Sequence, residues 1–317
     1  MFRYRSAVAM TAGLVTACSI VLAPAASSAP DVAGLDPATP VSDDGRVGSA
    51  VASSSGAEEK GDASAGFAGT GDLADATGVN TKPDPAADPA GADGDVQAGS
   101  IIGPDGRSRV NDTTTYPARA TVYLTYTKPG GSTSWCTGWL YAPNAVATAG
   151  HCVHSGGSSG DWNYGFTVYP GRNGGSSPYG SCTVDTKYSV LGWTRDRNTE
   201  YDYGGLKLNC TVGDTVGWYG MRWQSASYDG TLIFSRGYPQ DKPQATQWFT
   251  SDEVRQSDTR QLRYQLDTVG GQSGSPVYMF GCEGYCGIAV HTTGYSNHNR
   301  GTRITEQVFN NYQSWKN

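Results

Sequence analysis

Along residues 100–300 the apolar positions come in short runs, broken by clusters of glycine, proline and serine. Ala120-Thr-Val-Tyr-Leu-Thr-Tyr-Thr127 sets Ala120, Val122, Leu124 and Tyr126 on one face, the period-two pattern of a half-buried strand, and Lys128-Pro-Gly-Gly131 ends it. Comparable runs predict strands over 137–141, 145–148, 166–169, 203–208, 231–235, 264–268, 276–280 and 287–292, with Gly/Ser-rich breaks at 155–160 and 171–177. Strands at this density, with almost no helical periodicity and no internal repeat, indicate an all-β sandwich or barrel. One helix is expected at the C-terminus. There Val308, Tyr312 and Trp315 recur at spacings of four and three behind a Thr305 cap, with Ile304 and Phe309 placed as a hydrophobic staple. It should pack on the last strands.

The pattern before residue 100 is different. Residues 1–29 run from Arg3 and Arg5 through a small-residue apolar stretch to Pro24-Ala-Ala-Ser-Ser-Ala29, the order of a secretory signal peptide. The apolar run is too short and too diluted for a membrane span. It continues past Cys18 to Leu22, so Cys18 is read as part of the discarded leader and not as a lipid-bearing cysteine. Residues 30–99 hold thirteen acidic side chains against three basic ones, with Phe67 the only aromatic residue. So little apolar surface cannot offset chain entropy, so this stretch is expected to be an acidic pro-segment, disordered on its own; a solvated linker is the plainer alternative. All eight tryptophans lie between residues 135 and 315, and the core belongs there. The chain carries −6 overall, and once leader and pro-segment are set aside residues 100–317 are left at +2. That balance points to no nucleic-acid partner.

Seven cysteines less Cys18 leave six: Cys136, Cys152, Cys182, Cys210, Cys282 and Cys286. An even number in an exported chain points to disulfides, although spacing alone leaves every connectivity open. No C-x-x-C unit is present, so zinc is the weaker account, and no metal or cofactor is expected.

Three local motifs carry chemistry: Thr148-Ala-Gly-His-Cys152, Glu200-Tyr-Asp-Tyr-Gly204 and Gly270-Gly-Gln-Ser-Gly-Ser-Pro276. A serine hydroxyl needs a base to take its proton as it attacks a carbonyl. An imidazole titrates in the right range, and a buried carboxylate fixes its tautomer. Ser273, His151 and Asp202 fit those roles, with the amides of Gly271 and Ser273 facing the oxyanion. Each piece alone has a structural reading, as turn, core histidine or loop cap; their order and contexts together favour catalysis. An α/β-hydrolase elbow would need glycine where Ser275 stands, and Glu283 and His291 follow Ser273 too closely to complete one.

These residues resemble the secreted bacterial glutamyl endopeptidases, chymotrypsin-fold serine proteases, most of all the bacillary type. The likeness runs through Ser100-Ile-Ile-Gly-Pro-Asp-Gly-Arg-Ser-Arg109, Pro170-Gly-Arg-Asn-Gly174, Tyr201-Asp-Tyr-Gly204, Asp267-Thr-Val-Gly-Gly-Gln-Ser-Gly-Ser-Pro276, Ala289-Val-His-Thr292 and Asn299-Arg-Gly-Thr-Arg-Ile-Thr305. It implies two six-stranded antiparallel β-barrels, over about 100–210 and 211–303, with the triad between them. It also implies the pairings Cys136–Cys152, Cys282–Cys286 and Cys182–Cys210, and a glutamate pocket built on His291 and Thr268, with Ser100 or Ile101 nearby. His154 and His298 lack a partner motif and are read as structural. Asp267 stands where trypsin-like enzymes keep the acid that attracts Lys or Arg. That specificity is the runner-up, and a non-catalytic protease-like binding module the alternative from another class. Gln272 replaces the aspartate that trypsin-type zymogens use on activation, so activation should differ; Glu58 and Glu59 are candidate self-cleavage sites. The expected product is an extracellular monomer acting on proteins or peptides.

Overall fold

The computed structural model describes residues 1–2, 31–51, 60–82, 88–89, 91 and 99–317. The expected leader with Cys18, and Glu58 and Glu59, lie outside these residues. Strands run in chain order as β1 (Pro40–Ser42), β2 (Gly61–Ser64), β3 (Ser108–Arg109), β4 (Thr121–Thr127), β5 (Thr133–Ala142), β6 (Ala145–Thr148), β7 (Tyr164–Pro170), β8 (Cys182–Val190) and β9 (Gly204–Leu208). They continue as β10 (Gly220–Gln224), β11 (Leu232–Gly237), β12 (Trp248–Glu253), β13 (Gln256–Ser257), β14 (Gln261–Tyr264), β15 (Pro276–Gly281), β16 (Gly284–Gly294) and β17 (Asn299–Arg303).

The first barrel closes. Its antiparallel order is β8-β7-β4-β5-β6-β9, and β9 returns to β8. Strand β4 is more buried than its alternation predicts. Val122 and Leu124 face the barrel core, while Tyr123 on the opposite face is also fully buried, beneath Trp135, Tyr169 and Tyr238. The second sheet, in the order β13-β14-β17-β16-β15-β11-β12-β3, curls into a half-barrel. One irregular contact is the parallel pairing of β10 with β16. The chymotrypsin-like all-β architecture thus holds, with one boundary moved: β3 pairs with β12, so the stretch after Ser100 belongs to the second sheet and not the first barrel.

The C-terminal helix Glu306–Trp315 is capped as expected, Thr305 Oγ1 accepting from the Val308 amide. It packs elsewhere than predicted. Trp315 stacks on Tyr188 and Tyr203, and Tyr312 meets Tyr141 edge-on and Tyr203 at a tilt. Gly205 on β9 leaves room for that indole, since a Cβ there would lie 2.7 Å from it. The helix therefore ties the end of the chain back to the first barrel.

Where it is described, the acidic segment lies against the folded domain, whereas the expectation from composition concerned the segment on its own. Strand β1 adds to the edge of β8, and β2 to β10; Asn80 bridges Ser181, and Phe67 packs on Trp218 at 4.6 Å. Its backbone partners come from exposed strand edges of the folded domain, so it needs no core of its own. The three disulfides are Cys136–Cys152, Cys182–Cys210 and Cys282–Cys286. The first, closing a loop of 16 residues, is worth about 3 kcal/mol by chain entropy.

Candidate active site

His151 sits in the one-turn helix Gly150–Val153 that ends β6, and Asp202 follows the 3-10 turn Thr199–Tyr201. Both are buried, Asp202 completely. One carboxylate oxygen accepts the His151 backbone N–H at 2.8 Å, and the other lies 2.8 Å from Nδ1. A carboxylate can only accept here, so Nδ1 carries the proton and Nε2 keeps its lone pair. Gly150 allows this approach: a Cβ on it would lie 3.0 Å from Asp202 Oδ1 and 2.9 Å from Trp193. Trp193 also meets the His151 ring edge-on at 6.2 Å, and from the second sheet Thr302 donates to the Asp202 carbonyl at 3.0 Å.

Ser273 lies in the tight turn before β15. Gly271 and Gly274 have φ of +89° and +85°, backbone that favours glycine. Contacts forbid other residues as well, since a Cβ on Gly271 would lie 2.4 Å from Trp135 Nε1 and one on Gly274 2.1 Å from the Thr137 carbonyl. The turn is pinned across the cleft by two bonds from β5. The Thr137 amide donates to the Ser273 carbonyl at 2.9 Å, and its hydroxyl to the Gly271 carbonyl at 2.8 Å. Cys152 Sγ, one residue from His151, is 3.9 Å from the same Ser273 carbonyl. The turn therefore sets the Ser273 backbone beside β5 and beside Cys152, the neighbour of His151 in the chain. Among the described residues no acceptor engages the amides of Gly271 or Ser273.

Behind the turn, the Gly274 amide donates to the His291 carbonyl at 2.7 Å. His291 is buried, and its Nδ1 lies 2.9 Å from the Tyr264 hydroxyl. Burial, with a smaller push from the charge on His151, lowers its pKa to about 3. Burial also holds the Tyr264 phenol well above its usual range. Thr268 Oγ1 is buried without a hydrogen-bond partner among the described residues. Gly99 lies directly against it, a Cβ there falling 1.9 Å from Oγ1, and Ser100 exchanges bonds of 2.9 and 2.7 Å with Asn299. Asp267 spends its oxygens elsewhere: Oδ1 accepts from the Ile102 amide at 2.8 Å and Oδ2 from the Gly106 amide at 2.7 Å. His154 accepts the Gly156 amide at 3.0 Å, and His298 accepts from Arg300 at 2.9 Å.

The comparisons with known proteins agree with this geometry. A Bacillus licheniformis glutamyl endopeptidase is 44% identical over 259 residues, covering 79% of this chain and 78% of that protein. The chain belongs to the bacillary-type glutamyl endopeptidase family. A trypsin-like peptidase domain profile matches residues 136–281. A solved Glu endopeptidase, in complex with MPD, superposes with a TM-score of 0.62 at 33% identity, covering 68% of this chain and 99% of that one. As a member of this family the chain is a serine endopeptidase.

A Bacillus subtilis protein named extracellular metalloprotease is also similar, 48% identical over 225 residues and 71% of its length. Among the described residues the side chains of this glutamyl endopeptidase homologue do not fit a resident catalytic metal. Among the described residues the one trio of ligand atoms close enough to share an ion is Cys136, His151 and Cys152, and both sulfurs are spent in a disulfide. Sequence reasoning missed Tyr264 and Asn299. The sequence pattern places Tyr264 in a strand, and only its pairing with His291 across the sheet gives it a role. Asn299 offered one signal, a short polar side chain opening a buried strand.

Proposed function

We propose that this endopeptidase is made as an exported precursor and cuts peptide bonds after glutamate. Ser273 Oγ attacks the substrate carbonyl carbon as His151 Nε2 takes its proton, and the oxyanion turns toward the amides of Gly271 and Ser273. His151 then gives that proton to the leaving amine, leaving an acyl-enzyme. Water, deprotonated by the same nitrogen, attacks the ester and releases Ser273. Asp202 holds the imidazole in the tautomer that makes Nε2 a base. The bidentate hold of Asp202 on the His151 backbone and ring is the observation that carries this reading.

Specificity follows from the groups behind the turn. A protonated Tyr264 donates to His291 Nδ1, so the neutral ring carries its proton on Nε2 and presents a donor. With the Thr268 hydroxyl it can replace the water lost by a glutamate carboxylate. The glutamyl name of the Bacillus licheniformis relative supports the same preference. Asp267 argues against a basic preference, because backbone amides occupy both of its oxygens. Export is supported by the leader's composition, the three disulfides and the extracellular name of the Bacillus subtilis relative. Among the described residues no helix is long and apolar enough to cross a membrane.

The test is cleavage, by purified mature protein, of peptides that differ only in the residue before the cut. Glutamate should be preferred; equal or better cleavage after Lys or Arg rejects the specificity. A fluorophosphonate should label Ser273 and fail to label His151→Ala. Absence of labelling in the unsubstituted protein would favour a binding module.

A further inference from the structure

Three side chains of the protease domain hold a piece of the chain's own acidic segment as though it were a bound peptide. Arg172 Nη2 donates to both carboxylate oxygens of Asp88, at 3.0 and 3.2 Å. Gln244 Nε2 donates to the Pro89 carbonyl at 2.6 Å, and Ser134 Oγ to the Gly91 carbonyl at 3.2 Å. Arg172 is no ordinary surface cation. Its side chain is only 10% exposed, and the guanidinium lies 4.6 Å from the centre of the Tyr169 ring and 5.6 Å from that of Tyr123. Its other hydrogen bonds go to neutral acceptors, the Gly174 carbonyl at 3.1 Å and the Ser177 hydroxyl at 3.4 Å. A cavity of about 260 Å³ adjoins it, walled in part by Thr81 and Lys82 of the acidic segment.

Thr81, Lys82 and Asp88 supply part of the cover over Arg172, so the guanidinium loses that cover together with its ion pair when they leave, while the Tyr169 and Tyr123 rings and the Gly174 carbonyl still hold it in place. Removing the acidic segment therefore leaves a planar, preorganised fork suited to another carboxylate. Its position relates it to catalysis. The Tyr123 ring touches those of Trp135 and Tyr238, and the Trp135 indole lies where a side chain on Gly271 would project. Two aromatic side chains in series, Tyr123 and then Trp135, thus lead from Arg172 to the Ser273 turn. Ser134 and Trp135 also belong to the strand that Cys136 bridges to Cys152, beside His151. The Thr268 and His291 pocket is built from the second sheet. The histidine hands its proton to the leaving amine, so its flank receives the part of the substrate after the cut.

We infer that Arg172 anchors a peptide subsite for an acidic residue on the leaving-group side of the scissile bond, filled by Asp88 in the precursor and by a substrate Asp or Glu in the mature enzyme. This rests on the endopeptidase reading above and adds a second determinant of specificity to it.

The test uses peptides with Glu before the cut and alanine elsewhere, in which each of the first few positions after the cut is changed in turn to Asp or to its isostere Asn. At one position Asp should raise kcat/KM roughly tenfold over Asn, and that ratio should fall toward one in Arg172→Gln. Ratios are taken within each enzyme, so a general loss of activity does not enter them. A second arm needs no variant enzyme: a synthetic peptide of residues 80–92 should inhibit the mature protein roughly tenfold better than the same peptide carrying Asp88→Asn. Equal rates for Asp and Asn at every position overturn the assignment. So does discrimination that survives in Arg172→Gln, or equal inhibition by the two peptides. Failure to cut the all-alanine reference peptide after Glu would instead overturn the endopeptidase reading.

Discussion

The Ser273 turn is flanked by two histidines and two aspartates, and the two sides treat the same residue types in opposite ways. On the first-barrel side His151 Nδ1–H donates a hydrogen bond to Asp202, so in the proposed mechanism its other nitrogen is a base with an anion behind it. On the second-sheet side His291 meets the Tyr264 phenol, while Asp267 turns to the amides of Ile102 and Gly106. In the proposed mechanism the first ring gains a proton during reaction, whereas the second stays neutral. The difference lies in the partner of Nδ1. A carboxylate stabilises an imidazolium, whereas a buried phenol offers no compensating charge.

The strongest way to break the contrast is to make the first side resemble the second. Asp202→Asn preserves the shape but puts an amide in place of the carboxylate. If the carboxamide oxygen keeps the His151 backbone amide, its NH2 faces Nδ1, which must then accept, and the proton moves to Nε2 where a base is needed. Activity on a glutamyl peptide should fall about 10⁴-fold in kcat with little change in KM. A loss under about tenfold would remove Asp202 from the mechanism.

The first side was legible in the sequence because each member sits in its own local signature: apolar strand then Ala-Gly-His-Cys152, Tyr201-Asp-Tyr, and glycines around Ser273. The second side was half legible. His291 and Thr268 could be placed by resemblance, but the Tyr264 contact spans 27 positions and depends on sheet register. The strand expected over 264–268 in fact ends at Tyr264, because the next residues leave the ladder to hold Ser100 and the following loop. Strands β8 and β12 were missed, since Thr183-Val-Asp-Thr-Lys187 and Thr250-Ser-Asp-Glu253 are almost wholly polar and their buried positions Thr186 and Thr250 carry no apolar signal. Arg172 stands in one of the matching stretches, Pro170-Gly-Arg-Asn-Gly174, but nothing in the sequence pairs it with Asp88, 84 positions away.

The neutral state of His291 yields a pH test that His151 cannot supply. Its pKa is lowered to about 3 in the folded chain against an unfolded value near 6.5, so the unfolded state binds more protons between those limits. The stabilisation is complete above pH 6.5 and is lost as pH falls toward 3. Between pH 7 and 4.5 this one residue should remove about 2 to 3 kcal/mol of unfolding free energy. His154, lowered to about 4 by burial, adds a similar trend. Urea unfolding of wild type and His291→Gln across that range should therefore converge, the variant losing less stability as acid is added. Parallel curves would mean that the ring is not held neutral.

Asp267 gives the smallest effect and the sharpest discrimination between acids. Its two oxygens each accept one backbone amide from the stretch after Ser100, and nothing in that arrangement faces a substrate. In Asp267→Asn the carboxamide oxygen can keep one of these bonds, while the NH2 faces a second donor and leaves a part-buried amide without its acceptor. That should cost about 1 to 2 kcal/mol, a fall in Tm of roughly 3 to 6 °C for a domain of this size. The ratio of cleavage after Glu to cleavage after Lys should stay where it was, because the carboxylate never met the substrate. A change in that ratio with no change in Tm would reverse the assignment, placing Asp267 in the pocket and giving both flanks of Ser273 an acid that takes part in the chemistry.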